Sequence, residues 1–92
     1  MAVKTKKVEF FNGPDGRGVK VSARNFENVA EWADGEALFK RERYHTEITN
    51  QRVKVKTKKG WRVAQIGDTV VKLTDGLFVV VKAEDFATTV KI

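Results

Sequence analysis

Between residues 52 and 82 the hydrophobic and polar positions follow two different patterns. Over Arg52–Thr57 apolar and polar residues alternate, which predicts a strand with one buried and one solvent-facing side. The run Leu77–Val81 is apolar throughout and predicts a central strand covered on both faces. It follows Asp75-Gly76, a dipeptide that favours two-residue type I′ hairpin turns, which need positive φ at both central positions. The segment therefore predicts two β-hairpins joined by a Gly-Asp corner.

The first half of the chain predicts strands and one helix. Val8–Phe11 and Gly18–Ser22 flank a glycine-rich loop and are interpreted as a strand pair. A helix is predicted between Asn25, as its N-cap, and Gly35, as its C-terminal stop. Its apolar stripe at helical spacing consists of Phe26, Val29, Ala30 and Ala33. A short strand is expected near Ala37–Arg41, followed by an irregular region or long hairpin as far as Gln51.

This order of elements predicts the fold class. Strands before and after a single helix are typical of α+β proteins. We expect a strongly bent antiparallel sheet or small open β-barrel of about five to six strands, packed by one α-helix. A chain of 92 residues is long enough for one domain, so 1–92 is interpreted as a single domain.

Composition changes this picture mainly through the position of the charge. The net charge is +6. Residues 40–62 contain nine basic and two acidic side chains, a net +7, while the rest of the chain sums to −1. A local excess of this kind attracts phosphate groups or an acidic protein surface, although charged runs are also common on solvated faces without a partner.

The inventory of reactive residues gives no catalytic hypothesis. The chain has one histidine and no cysteine, so a nitrogen–sulfur zinc site is not expected, nor is any other metal or cofactor. Asp68 and Asp75 stand at Gly-Asp and Asp-Gly corners, where aspartate serves turn geometry. The glycine loop 13–18 joins two strands and precedes no helix, so it is interpreted as a hairpin loop rather than a phosphate loop. We therefore expect no enzymatic activity.

The alternating strand is the candidate binding site. Side chains two residues apart on a strand lie about 6.8 Å apart on one face, so a row of four cations is expected to be exposed together. Such a row neutralises phosphates or docks on an acidic protein, and neighbouring aromatic rings add stacking. The predicted partner-binding residues are Arg52, Lys54, Lys56, Lys58, Arg62, Tyr44 and Trp61.

The C-terminal pieces resemble a family of small bacteriophage and prophage proteins of unknown function. That family ends in a pattern close to P-G-D-[W/Y]-[I/V]-[I/V], G-E-F-Y and K-P-x-x-F. The similar segments here are 67–71, 75–78 and 82–86, together with Gly60, and upstream Val8–Phe11 and the helix ending at Glu31-Trp32. The sequence departs from the pattern at Ile66, Thr69 and Ala83, where the family has proline, an aromatic residue and proline.

The resemblance carries no catalytic residue and implies an accessory phage protein made in the cytoplasm of an infected bacterium. The N-terminus has no apolar signal sequence, which agrees with a cytoplasmic location, and no membrane association is expected. Three functions remain open. The first is a non-catalytic protein that binds a host or phage protein through the basic strand. The second is nucleic-acid binding by the same face. The third is a minor structural or assembly component that self-associates through sheet edges.

Overall fold

The computed structural model describes residues 4–11, 13, 15–41 and 48–90. Nearly half of these residues belong to β-strands, and a helix of about two turns follows the second strand. In chain order the elements are β1 Lys6–Val8, β2 Gly16–Lys20, α1 Phe26–Trp32, β3 Glu36–Arg41, β4 Ile48–Thr57, β5 Gly60–Gln65, β6 Thr69–Leu73, β7 Phe78–Val81, a 3₁₀ turn Ala83–Asp85 and α2 Phe86–Thr89.

The strands form two antiparallel sheets. One has four strands in the order β1-β2-β6-β7, and the other has three in the order β3-β4-β5. The α+β class is confirmed, but the expectation of one bent sheet or barrel is wrong, and the described residues contain seven strands and a second short helix. The cause lies at the corner between β5 and β6. Gly67 adopts a φ of 99°, and this turn takes the chain out of the β4–β5 ladder into the other sheet.

Two apolar clusters hold the layers together. The inter-sheet core lies between the two sheets and α1 and includes the predicted helical stripe. Burial of each valine-sized side chain in such a core contributes about 1.5–3 kcal/mol. Its fully or nearly buried members are Val19, Val21, Phe26, Val29, Ala30, Ala33, Val53, Val55, Ala64 and Val70, and Trp32 packs edge to face on Phe78 at its margin.

The terminal core lies on the opposite face of the four-stranded sheet. Here the C-terminal segment folds over β6 and β7, and Phe86 of α2 and Val90 supply the cover. Phe10 pairs with Val90 in an isolated bridge. Since β1 ends at Val8, the predicted strand Val8–Phe11 overlaps it only at that residue. The buried members are Val8, Val71, Leu73, Val81 and Val90.

The doubly covered strand is β6 rather than the predicted one. Val70 faces the inter-sheet core and Val71 the terminal core, and both are fully buried. The prediction that Leu77–Val81 is central is wrong, because β7 is the edge strand of its sheet. Its residues are apolar on both faces since they complete the margins of both cores, and Leu77, just before β7, is 43% exposed.

The β6–β7 hairpin turns where the Asp-Gly pair predicts, but with a three-residue loop. The Leu73 N–H donates to the Leu77 carbonyl at 2.8 Å, and the Gly76 N–H donates to the Leu73 carbonyl at 2.9 Å. Within this loop, all of which is described, Gly76 alone has positive φ, at 88°. The pattern is that of a type I turn followed by a left-handed glycine, so the expected type I′ turn is wrong.

The ends of α1 also differ in detail from the prediction. Asn25 stands at the N-cap position, but its Oδ1 accepts from the Ser22 N–H at 2.7 Å and makes no bond to the helix. At the other end Asp34, with φ 54°, takes the left-handed position expected of Gly35. The Gly35 N–H donates to the Ala30 carbonyl at 2.8 Å, which completes a Schellman motif. Glycine is needed at 35 because a Cβ there would overlap the Lys54 carbonyl oxygen.

Candidate functional site

The β4–β5 hairpin decides which side chains share a face. Its turn is the pair Lys58-Lys59, and Gly60 follows with φ 96°. The Thr57 hydroxyl donates to the Gly60 carbonyl at 2.8 Å and accepts from the Lys59 N–H at 3.2 Å, which fixes the loop length. In an antiparallel pair, directly opposed residues point to the same side. The register therefore separates the hairpin into two sets of side chains.

We call the side of the β3-β4-β5 sheet that points away from α1 the outer face. On the opposite side Val53 and Val55 of β4 and Ala64 of β5 each have 0% exposure, which confirms the predicted alternation of β4. By register, the outer face carries a row of cations from β4 flanked by residues of both neighbouring strands. Its members are Glu36, Leu38, Arg52, Lys54, Lys56, Trp61, Val63 and Gln65.

Lys54 and Trp61 form the centre of the outer face. The Lys54 Nζ lies 5.1 Å from the centroid of the Trp61 ring, within the range of a cation–π contact. Trp61 is nevertheless 47% exposed, which is high for a residue of this size. On the other side of β4, Glu36 stands directly opposite Lys54. The outer face thus combines positive charge, one carboxylate and an accessible aromatic ring.

A bulge in β4 sets the direction of Arg52. The β3–β4 register shifts between Leu38 and Lys40, and Asn50, with φ 55°, is in the left-handed region typical of bulges. The Arg52 Nη1 donates to the Asn50 carbonyl at 2.8 Å. This bond ties the guanidinium to its own strand on the outer face, one position before Lys54 in the row.

The structure brings only part of the predicted site together. Arg52, Lys54, Lys56 and Trp61 share the outer face. Lys58 lies beyond the end of β4, where its Nζ forms a 3.4 Å ion pair with Asp75, so the prediction that it extends the row is wrong. The two-residue turn explains this, because it ends the alternation at Thr57.

Two other predicted residues also lie off the outer face or outside the description. Arg62 is paired with Val55 and therefore projects from the opposite side of the sheet. Tyr44, predicted to add stacking, lies outside the described residues. Sequence reasoning also missed two neighbours, Glu36 and Leu38, because they come from a segment with poor alternation. The signal that could have placed Arg62 is the loop length, since a two-residue turn after Thr57 sets Val55 opposite Arg62.

The Gly67-Asp68 corner is a structural site, as its turn residues predict. Asp68 is 6% exposed, and its carboxylate accepts from the N–H groups of Gln65 and Ala83, both at 2.9 Å. The Lys82 Nζ lies 3.1 Å from the same carboxylate and donates to the Val63 carbonyl at 2.9 Å. One side chain thus joins the end of β5, the start of β6 and the segment after β7.

These contacts determine the acidity of the two corner aspartates. Burial by itself raises the pKa of Asp68, but the N–H groups of Ala83 and Gln65 and the Lys82 ammonium outweigh it, so the pKa lies below its ordinary value of 3.8. The Leu77 N–H, followed by Lys58, lowers the pKa of the exposed Asp75. Both groups are therefore stabilised as carboxylates, which suits turn geometry and provides no proton donor at neutral pH.

Comparison with known proteins identifies no relative. No protein-family model matches the chain, and no curated protein or solved structure matches it significantly. Within the part of the chain that is described, no group of three or more His, Cys, Asp or Glu side chains is placed to hold a metal ion. None of the described helices is long and apolar enough to cross a lipid bilayer. The outer face must therefore be interpreted from its own chemistry.

Proposed function

We propose that this protein is a non-catalytic binding protein that docks an acidic surface of another protein onto its outer face. The observation that carries the proposal is the row Arg52, Lys54 and Lys56 beside the exposed ring of Trp61. Arginine and tryptophan are the residue types that most often dominate the energy of protein interfaces. The row of cations favours an acidic partner and accelerates its encounter.

The composition of the outer face favours a protein over a nucleic acid. Glu36 stands opposite Lys54, and a carboxylate in the middle of a phosphate track would repel the backbone it has to bind. Leu38 and Val63 add apolar surface on either side of the row. Apolar side chains around an aromatic residue, with charges beside them, are typical of protein interfaces.

Nucleic acid is the second candidate because of one feature. An exposed tryptophan with a lysine over its ring, beside further cations at strand spacing, is also suited to single-stranded nucleic acid, whose bases stack on aromatic rings. The two candidates predict different salt dependence. Binding to single-stranded nucleic acid weakens with a slope of about −0.7 in log K against log salt per phosphate neutralised.

The resemblance to small bacteriophage and prophage proteins supports a setting for this function. Under this proposal the chain is an accessory phage protein that acts in the cytoplasm of an infected bacterium, and the acidic partner is a host or phage protein. Affinity capture from bacterial lysate, with and without nuclease, followed by purification of any discrete protein retained, supplies the ligand for a direct measurement.

The decisive experiment reverses the charge of the row. The double variant Lys54→Glu/Lys56→Glu should fold normally, because the buried side of β4 is unchanged, and its association rate with the purified partner should fall about tenfold or more. The matched control, Lys20→Glu/Arg24→Glu, changes net charge equally at two exposed positions away from the outer face. Unchanged binding by a correctly folded double variant would refute the proposal. Loss of capture after nuclease treatment would favour nucleic acid instead.

A further inference from the structure

A groove of about 590 Å³ separates the outer edge of β5 from the outer edge of β7. Its apolar lining comes mainly from the half-buried residues of β7. Its rim is positively charged, because four basic side chains from the β4–β5 hairpin and from the end of β7 surround it. The lining residues are Thr57, Lys58, Lys59, Arg62, Val63, Phe78, Val79, Val80 and Lys82.

Polar contacts between the two sheets lie at both ends of this groove. At one end Lys82 links β7 to β5 through its bond to the Val63 carbonyl. At the other end the Lys58–Asp75 ion pair joins the tips of the two hairpins. Between these ends the described strands belong to separate sheets, and β5 and β7 are not paired with each other.

The ladder register determines which backbone groups of β7 face the groove. Because Leu73 is hydrogen-bonded to Leu77, alternation turns the N–H and C=O groups of Phe78 and Val80 away from β6. An edge strand with outward backbone groups is a template for a further strand. Peptides bind many proteins in this way, with main-chain hydrogen bonds supplying affinity.

The β5 edge offers mainly hydrogen-bond donors. Trp61 and Val63 alternate with the residues bonded to β4, so their backbone groups point outward. The Val63 carbonyl is occupied by Lys82, and the Trp61 carbonyl accepts from the Arg62 Nη1 at 3.3 Å. Of these two residues only Val63 lines the groove, so its N–H group is the β5 donor that remains there, and a donor beside cations favours an occupant that carries carboxylates.

The charges on the rim of the groove also favour an acidic occupant. Lys58 and Lys82 are already bound to Asp75 and Asp68, whereas Lys59 and Arg62 form no ion pair within the described residues. Both are exposed at the mouth of the groove. An entering acidic segment would therefore neutralise two cations that have no carboxylate partner among the residues that the structure describes.

We propose that this groove binds an extended acidic segment of another protein, which adds to the edge of β7 as a fifth strand of the four-stranded sheet. Its backbone pairs with Phe78 and Val80, and its carboxylates face Lys59, Arg62 and the β5 edge. The groove uses none of the cations of the outer face, so it is a second surface whose occupancy does not depend on the function proposed above.

The test uses a defined probe, a capped peptide of about six residues that alternates Glu and Val, the pattern of an edge-adding strand. Amide NMR of the full chain should show large shifts and slowed hydrogen exchange at Phe78 and Val80 on addition of this peptide. Two control peptides sharpen the result: the same peptide with Lys in place of Glu, and the Glu peptide with N-methylated amides along its pairing edge. Neither control should bind measurably.

Two variants of the protein test the charge of the rim and the backbone pairing of β7 separately. Arg62→Glu should weaken the Glu peptide about tenfold or more, because it replaces a rim cation with a like charge. Arg24→Glu is the matched control, since it makes the same charge change at an exposed residue outside the groove, and affinity should be unchanged. Val80→Pro removes an outward N–H from an edge strand, where proline is tolerated, and should abolish peptide binding.

Each outcome decides the matter. Shifts at the β7 edge that require both the carboxylates and the free amides of the peptide support the proposal. Equal binding of the N-methylated peptide would overturn it in favour of a carboxylate site without strand addition, and this comparison holds even if Val80→Pro fails to fold. Shifts confined to residues 52–56 would assign the peptide to the outer face. Tighter binding of single-stranded oligothymidylate in the same groove would make it a nucleic-acid site.

Discussion

The two sheets differ in how many of their faces are covered. The four-stranded sheet has the inter-sheet core on one side and the terminal core on the other, so β6 is buried on both faces. The three-stranded sheet has the inter-sheet core on one side and the outer face on the other. The sequences reflect this: the run Val70-Val71 is continuous, whereas β4 alternates valine with cations. A strand's pattern reports how many of its faces are covered.

The most severe test of this comparison places a charge on the face of the four-stranded sheet that the terminal core covers. Val71→Lys puts an ammonium group into the terminal core, where Val71 has no exposure. We expect a loss of about 4 kcal/mol or more, enough to unfold most molecules of a small domain. Urea unfolding followed by far-ultraviolet circular dichroism measures this. A variant with the wild-type midpoint would show that the C-terminal segment does not cover β6.

The corner that joins the two sheets should give the next largest effect. The N–H groups of Gln65 and Ala83 donate to different oxygens of the Asp68 carboxylate. Asp68→Asn replaces one of these oxygens with an NH₂ group, which cannot accept a hydrogen bond, so one of the two bonds is lost. We expect a loss of about 1–3 kcal/mol at neutral pH. Asp75→Asn is the matched control at an exposed corner and should have a smaller effect, because water replaces the lost contacts.

The difference in stability between wild type and Asp68→Asn should also depend on pH. The pKa of Asp68 is lower in the folded than in the unfolded chain, so its ionised form stabilises the fold above the unfolded pKa of about 4. This contribution is lost as the pH falls through the folded pKa. The difference in unfolding free energy between wild type and Asp68→Asn should therefore shrink below pH ~4. A constant difference down to pH ~2 would mean that the carboxylate is not the stabilising group.

The tip of the β6–β7 hairpin should respond moderately to substitution of Gly76. Gly76 has positive φ, and no atom stands within 4 Å of an added Cβ, so only backbone strain opposes substitution. Gly76→Val should cost about 1–2 kcal/mol, and Gly76→Asn should cost less because asparagine tolerates the left-handed region. Thermal unfolding of both variants provides the measurement. Equal melting temperatures for wild type and Gly76→Val would contradict the turn geometry.

The smallest effect is expected on the outer face. Lys56→Val is the reciprocal of Val71→Lys, since it places an apolar residue on the far face of the other sheet. Because this face is solvated, the unfolding free energy should change by less than about 0.5 kcal/mol. The same urea titration measures it. A large change would mean that Lys56 holds the fold together and that the outer face is not free for a partner.

The sequence predicts those parts of the fold that depend on local pattern. The helical stripe around Phe26, the alternation of β4 and the position of the turn at Gly76 are each set by nearby residues, and all three are confirmed, although the type of that turn differs from the prediction. The division into two sheets is not local, because it depends on how β2 reaches β6 across half the chain. The resulting edge position of β7 has no signal in its own sequence, since a strand that completes two cores is as apolar as a central one.

The candidate site shows the same limit. Alternation correctly places Arg52, Lys54 and Lys56 together, because strand geometry is periodic. It fails at Lys58, where the turn begins, and at Arg62, whose side depends on the loop length. The sequence identifies Asp68 and Asp75 as turn residues, but the contact between Asp68 and Lys82 depends on the tertiary fold. The groove between β5 and β7 could not be predicted, because it exists only where two separate sheets approach each other.

The order of the strands along the chain has a consequence for the time course of folding. Strands β4 and β5 form one hairpin and β6 and β7 another, and the Asp68 corner joins the two, so their contacts close small loops. Pairing of β2 with β6 instead brings Val19 against Val70 from 51 positions away. We expect the C-terminal hairpins to form in the transition state and the N-terminal strands to dock later. Substitution to alanine should then slow folding at Val70 and mainly speed unfolding at Val19, and the reverse pattern in stopped-flow kinetics would exclude this order.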